Sequence, residues 1–212
     1  MIKAVIFDAD GVVIDTHQIY LLADQTFLVN HGADPNPENF DHLLNGVSLE
    51  DGTKILQNLF EIQGNSGDLL LERIEIIKNL YKKIGFVPGF LDFFNKIKSN
   101  YKVAIATSSN TELFSIADNG LGLHKLFNNH IYFLRDVNYV SKPAPDIYLF
   151  AAKQLNSNPS DCLVVEDAPS GILSGKKAGM KVIGLSSSHN RELLKEADQI
   201  VDFFNQINLD QI

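Results

Sequence analysis

Six short apolar runs recur along the chain, and most are separated by stretches with helical spacing. They are Ile2–Phe7, Lys102–Ala106, His130–Phe133, Cys162–Val165, Lys181–Leu185 and Gln199–Val201. Each has strand length and β-branched content, and each reads as a strand buried on both faces. Between them, Phe90, Phe93, Phe94 and Ile97, then Ile147, Phe150, Ala151 and Leu155, then Ile172, Leu173 and Ala178 recur with helical period. Strands that alternate with helices in this way predict a doubly wound α/β fold, a parallel sheet covered by helices on both sides.

The alternation breaks once. From Thr16 to Ile84 there is no strand run, and the stretch is too long for a crossover. Ile19, Leu22, Ala23, Thr26 and Phe27 form one apolar stripe, and Leu70, Ile74, Ile77 and Tyr81 with Ile84 form another. Between them Ser48-Leu49-Glu50-Asp51 has the form of a capping box opening a helix through Leu59. The division expected is therefore a core of residues 1–15 and 85–212 with an inserted α-helical cap of residues 16–84, the return marked by the Pro88-Gly89 turn. A helical insertion near a strand's carboxyl end acts as a lid or as a purely structural extension.

Composition removes several classes of function. At 212 residues with 45% hydrophobic and 21% charged residues, the chain is ordinary globular material, and no apolar run approaches the ~20 residues of a membrane span. The start, Met1-Ile2-Lys3 and a short apolar run with acids, lacks a signal-peptide layout, so a cytoplasmic location is expected. A net charge of -8 gives no electrostatic footprint for nucleic acid. The expected partner is a small molecule, with the chain a monomer. One cysteine, Cys162, excludes a disulfide framework and reads as a buried small hydrophobe. The six histidines show no zinc spacing; His17 alone falls near the active edge. Gly120-Leu121-Gly122 reads as a helix end and turn rather than a dinucleotide loop, and Gly171 and Gly175 read as close helix packing.

In open α/β sheets chemistry gathers at the carboxyl ends of the strands. The first run ends in Asp8-Ala9-Asp10-Gly11, the second in Thr107-Ser108-Ser109-Asn110, and the fourth in Glu166-Asp167. Carboxylates converging on one edge repel one another, which makes sense mainly around a cation, and an all-oxygen site suits Mg²⁺. Asp8 and Asp10, two apart, share a side of the strand if its geometry persists. Asp10-Gly11 taken alone also reads as a hairpin turn, and Asp167 or Ser170 as a helix cap. Lys142, in Lys142-Pro143-Ala144-Pro145-Asp146 before a helix, is either a phosphoryl-binding ammonium or a solvated surface lysine.

Taken in order, Asp8-x-Asp10-Gly11-Val12, Thr107-Ser108, Lys142-Pro143-x-Pro145-Asp146 and Glu166-Asp167 with Ser170-Gly171-Ile172 resemble the four motifs of the haloacid dehalogenase-like hydrolase superfamily. The insertion after the first motif resembles its small helical cap, and the nearest branch is the β-phosphoglucomutase-like one. The resemblance covers essentially the whole chain and implies a Rossmann-like core. It implies that Asp8 attacks a phosphoryl group to form an aspartyl phosphate and that Asp10 is the general acid and base. It further implies that Mg²⁺ is held by Asp8, the backbone carbonyl of Asp10 and Asp167, with Glu166 in or beside the shell. Thr107, Lys142 and backbone N–H groups near Ser108 are implied to bind the transferring phosphoryl oxygens.

The resemblance also separates activities. Asp10 argues against the branches that cleave carbon–halogen and carbon–phosphorus bonds, and Lys54 in the insertion reads as solvent-facing. Against the mutases, Asn45 and Leu49 stand where those enzymes carry a cap lysine and arginine, Tyr20 where they have a histidine, and Asn110 where a lysine binds the second phosphate. Losing such donors would cost about 1.5–3 kcal/mol each. A phosphatase acting on a sugar or polyol monophosphate is therefore expected, with Tyr20, Asn45 and Leu49 as cap-side substrate contacts. The alternatives are a sugar-phosphate mutase and, from another class, a signalling or non-catalytic phospho-Asp binding module.

Overall fold

A computed structural model describes residues 1–44, 49–186 and 191–209. The chain divides into two compact units, Met1–Asp15 with Gly85–Ile212, and Thr16–Ile84. The first unit contains a six-stranded sheet, β1 (Ala4–Phe7), β2 (Lys102–Thr107), β3 (Ile131–Phe133), β4 (Cys162–Glu166), β5 (Lys181–Leu185) and β6 (Gln199–Val201). All neighbours are parallel, in the order β3-β2-β1-β4-β5-β6. All six predicted runs are strands, and the fold is the doubly wound, Rossmann-like one.

The second unit, in chain order, holds α1 (His17–Asn30), α2 (Asp41–Leu44), α3 (Leu49–Leu59) and α4 (Ser66–Tyr81). The helices of the first unit are α5 (Phe90–Ile97), α6 (Thr111–Leu121), α7 (Leu123–Leu126), α8 (Asp146–Gln154) and α9 (Pro169–Lys177).

The two faces of the sheet are filled differently, because successive strand residues point to opposite sides. Ala4, Ile6, Ala104, Ala106 and Val164 pack with Ile147, Tyr148, Ala151 and Ile172 of α8 and α9. On the other side Phe7 meets Phe90, Phe93 and Phe127 edge to face, with centroids 5.6–6.3 Å apart, and Phe204 closes on Phe90 and Phe93. Small residues on the first face let α8 and α9 approach closely. At Gly175 an added Cβ would stand 2.8 Å from Val182 Cγ2, so that glycine serves close packing as expected. Gly122, at φ 68°, ends α6 in the left-handed conformation, and Cys162 is fully buried.

In the helical unit Ala23, Phe27, Ile77, Tyr81 and Ile84 are buried as predicted, but the rest of each buried face differs. Leu22 is 47% exposed, and α1 buries Ala23, Asp24, Phe27 and Leu28. α4 buries Leu69, Arg73, Ile77 and Tyr81, one register away from Leu70 and Ile74. The reason is a charged pair inside the unit. Arg73 Nε and Nη2 both donate to Asp24 Oδ1, at 3.1 and 2.5 Å, and Nη1 donates to Thr53 Oγ1 at 2.8 Å and to the Leu49 carbonyl at 3.1 Å. The guanidinium thus ties α1, α3 and α4 together. Burial pushes the Asp24 carboxyl up, against the pull of Arg73. Removing one partner strands the other charge, so Arg73→Leu is expected to lower the unfolding free energy in urea by about 3–5 kcal/mol. The double variant Asp24→Leu/Arg73→Leu should recover most of that loss, because no buried charge is then left alone.

The predicted capping box begins at Ser48, outside the described residues. Lys54 is exposed, as expected, with its ammonium 2.8 Å from Glu50. No helix among the described residues is long and apolar enough to cross a membrane.

Candidate active site

The sheet order reverses direction between β1 and β4, with β2 and β3 on one side and β5 and β6 on the other. A crevice opens at such a point, beyond the carboxyl ends of the two strands. Asp8 follows β1 there, its N–H donating to the Val165 carbonyl at 3.0 Å, and Glu166 and Asp167 leave β4 beside it. One carboxylate oxygen from each of Asp8, Glu166 and Asp167 lies within 4.8 Å of the others, and all three residues are buried.

The chain turns sharply after Asp8. Val13 N–H and Ile14 N–H both donate to the Ala9 carbonyl at 2.9 Å, Gly11 N–H donates to the Ile14 carbonyl, and Gly11 sits at φ 72°. This compact loop replaces the hairpin reading of Asp10-Gly11, since Ile14 then bridges to Phe86 instead of returning along β1. The left-handed conformation at Gly11 is the local reason for a glycine there.

Lys142 enters from the loop before α8. Its ammonium donates to Asp8 Oδ1 at 2.5 Å, to Glu166 Oε1 at 2.7 Å and to the Ala106 carbonyl at 3.3 Å. It is a buried cation, and the solvated-surface reading fails for it. Its two carboxylate partners hold its pKa well above the ordinary lysine value despite burial. Burial pushes the Asp8 carboxyl up to about 7; the Lys142 ammonium opposes this, and the charges of Glu166 and Asp10 add to it. Four acids against one buried ammonium leave the edge electron-rich, which suits a small divalent cation.

Glu166 is held from four directions. Oε1 accepts from Lys142 and from Tyr148 Oη at 2.8 Å, and Oε2 accepts from the N–H groups of Asp167 and Ala168, each at 3.0 Å. An ionised carboxylate offers about four lone-pair sites. These donors occupy them. The carboxylate fits only because residue 171 is glycine: a Cβ there would stand 1.6 Å from Glu166 Oε1.

Neither Asp167 nor Ser170 caps α9. Ala168 is the N-cap and Pro169 opens the helix, where its fixed φ suits the first turn and its missing N–H leaves no donor unpaired.

At the end of β2, Thr107 is buried; after it Ser108 is exposed, and Ser109 Oγ donates to Asp10 Oδ2. Thr107 Oγ1 lies 2.7 Å from Ser109 Oγ and accepts from Ser109 N–H at 2.9 Å. Asn110 caps α6, its side-chain oxygen accepting from Glu112 and Leu113 N–H.

Thus Asp8, Asp10, Thr107, Lys142, Glu166 and Asp167 all stand at one sheet edge. Ser109 and Tyr148 join them without having been predicted. Ser109 was legible only as a hydroxyl near a strand end, and Tyr148 as an aromatic on an apolar helix face.

Within the helical unit, Tyr20 Oη accepts from Tyr81 Oη at 3.3 Å, and the rings meet edge to face. Leu49 opens α3, its carbonyl held by Arg73 and Thr53. His17 opens α1, and Asn45 lies outside the described residues.

Comparison with known proteins places these features. A bifunctional riboflavin kinase/FMN phosphatase of Arabidopsis thaliana is 27% identical over 212 residues, and the chain spans 55% of that longer protein. A phosphorylated carbohydrates phosphatase of Thermotoga maritima is 30% identical, with 89% of this chain and 87% of that one aligned. Among solved structures, a β-phosphoglucomutase from Clostridium difficile superposes with a TM-score of 0.73 at 28% identity, covering 100% of this chain and 95% of that one. The model of haloacid dehalogenase-like hydrolases matches residues 2–179, from the first strand through the helix after β4. A match of that extent takes in the acids of β1 and β4 as well as the insertion between them, and the chain belongs to the haloacid dehalogenase-like hydrolases.

Proposed function

We propose that the chain is a Mg²⁺-dependent phosphatase that hydrolyses a small phosphorylated metabolite, a sugar or polyol monophosphate, through an aspartyl phosphate on Asp8. The observation that carries this reading is the Asp8 carboxylate, fixed 2.5 Å from the Lys142 ammonium at the reversal point of the sheet, with Glu166 and Asp167 beside it. The phosphatases among its relatives support the reaction class.

The donor set fits a divalent cation. Asp8, Asp167 and the carbonyl of Asp10 would hold it, whereas Glu166, its lone pairs engaged by four donors, stands beside the ion and fixes Lys142. When bound, Mg²⁺ supplies positive charge that offsets the carboxylates and the phosphoryl oxygens.

Asp8 forms a bond to phosphorus while the bond from phosphorus to the leaving alcohol breaks. Asp10 gives its proton to the alcohol oxygen, then takes one from a water that attacks the phosphoryl group, releasing inorganic phosphate and Asp8. Thr107, Lys142 and backbone N–H groups near Ser108 bind the phosphoryl oxygens throughout. Ser109 orients Asp10 through its hydroxyl. Residues 16–84 act as a cap, with Tyr20, Asn45 and Leu49 as substrate contacts.

Phosphate release across sugar phosphates, polyol phosphates, nucleotides and an aryl phosphate tests the proposal. At least one ester should release phosphate with Mg²⁺, and EDTA should lower the rate about 100-fold or more. Silence on every ester would sink it. The mutase reading is favoured by the β-phosphoglucomutase superposition, and opposed by Asn110, whose side-chain oxygen is engaged in capping α6. Isomerisation of a hexose 1-phosphate primed with a bisphosphate, without net release, would establish the mutase instead.

A further inference from the structure

We propose that Tyr148 is a positioning residue for the phosphoryl-binding cation, setting Lys142 in place through Glu166. This rests on the reading of Lys142 as a phosphoryl-binding residue. Tyr148 lies on α8, two residues beyond its start, and is fully buried. Its ring belongs to the apolar cluster under the sheet, but its two other contacts are polar. The hydroxyl donates to Glu166 Oε1 at 2.8 Å, the same oxygen that receives the Lys142 ammonium at 2.7 Å. The ring face lies 4.8 Å from that ammonium. One side chain thus touches both members of the pair, by a hydrogen bond to the anion and a cation–π contact to the cation.

A lysine ammonium has three N–H donors on a flexible stem and no geometry of its own. Here those donors meet Asp8, Glu166 and the Ala106 carbonyl. Where the ammonium stands therefore depends in part on where Glu166 Oε1 stands. Among the described residues, that oxygen accepts one hydrogen bond besides that of Lys142, from the Tyr148 hydroxyl. Burial and the nearby Glu166 charge hold the phenol protonated well above its ordinary pKa, so it remains a donor. Without that donor, Oε1 can swing toward the ammonium, drawing Lys142 from Asp8 and from an arriving phosphoryl group.

A purely structural tyrosine predicts something different, and Tyr148→Phe separates the two. Phenylalanine keeps the packing and the ring face but removes the hydroxyl. The expected result is a kcat lower by about 5–20-fold with KM within about two-fold and Tm within a few degrees. In a Glu166→Gln background the same replacement should change kcat by less than about two-fold, because the residue it acts through is already altered. Equal losses in both backgrounds, or wild-type kcat in Tyr148→Phe, would overturn the proposal.

A second readout needs no turnover. In protein labelled with ¹⁵N-lysine, the Nζ–H signal of Lys142, assigned by its loss in Lys142→Arg, should shift and broaden in Tyr148→Phe. An unchanged signal would count against the proposal. If the wild-type protein releases phosphate from no ester, the phosphatase reading fails on its own, and the lysine signal still decides whether Tyr148 positions Lys142.

Discussion

Asp8→Asn is expected to abolish phosphate release, by at least about 10⁴-fold in kcat, while making the metal-free protein more stable. The first effect follows from chemistry: the amide is not a competent nucleophile toward phosphorus, and losing a nucleophile costs several decades even where binding survives. The second follows from the state of the carboxyl in the fold. Burial raises it to about 7 from an ordinary 3.8, with Lys142 opposing and Glu166 and Asp10 adding to the rise. Between those values the folded protein holds a proton that the unfolded chain has lost, so stability falls as pH rises from about 4 to about 7 and levels off above. Asparagine resembles the neutral carboxyl and does not ionise. At pH 8 in EDTA its Tm should exceed wild type by roughly 2–8 °C, with a flatter pH profile over that window. Mg²⁺ should raise the wild-type Tm and move the variant's much less, since a cation favours the ionised carboxyl that only wild type provides. Asp8→Asn with a Tm below wild type in EDTA would mean that the Lys142 contact outweighs desolvation.

The sheet was legible in the sequence because its central strands are buried on both faces. Such strands are written as unbroken apolar runs, and Ala4–Phe7, Cys162–Glu166 and Lys181–Leu185 appear where those runs stand. The acids that end them were legible for the same reason, as charges abruptly following apolar stretches. Parallel strands then deliver all their ends to one edge.

What the sequence hid are contacts that cross large separations. Arg73 and Asp24 stand 49 residues apart, and only packing α1 beside α4 turns the two into a buried pair. Ser109 touches Asp10 across 99 residues, and no local pattern records that. At the start of α9 two capping candidates, Asp167 and Ser170, competed within a few residues, and Pro169 settled the frame by its backbone rather than its side chain. Asn110 shows the reverse case: a polar residue compared with a family lysine turns out to satisfy two orphan N–H groups of α6.

Gly171→Ala is expected to cost nearly as much activity as the loss of a catalytic group, although residue 171 touches no substrate in the proposed mechanism. An alanine Cβ at 171 would stand 1.6 Å from Glu166 Oε1, 2.0 Å from its Cδ and 2.5 Å from Oε2. The obstacle is not the far end of a flexible side chain. Both oxygens are fixed by Lys142, Tyr148 and two backbone N–H groups. Either the carboxylate leaves those donors or α9 moves away from β4. In the first case Lys142 loses its anchor and Asp8 faces a repositioned ammonium; in the second Asp167 moves with the loop that joins the two elements. Both outcomes disturb the cation proposed to bind the phosphoryl group or the acid proposed to hold the metal, and kcat should fall about 10³-fold. Unsatisfied buried donors and a displaced charge should lower the unfolding free energy by about 3 kcal/mol or more. Gly175→Ala on the same helix, whose Cβ would first meet Val182 and Val164, is the control: it should lower Tm while leaving kcat within a few-fold of wild type. Near-wild-type turnover in Gly171→Ala would mean that Glu166 can vacate its four donors without consequence, and that Asp8 and the Ala106 carbonyl suffice to fix Lys142.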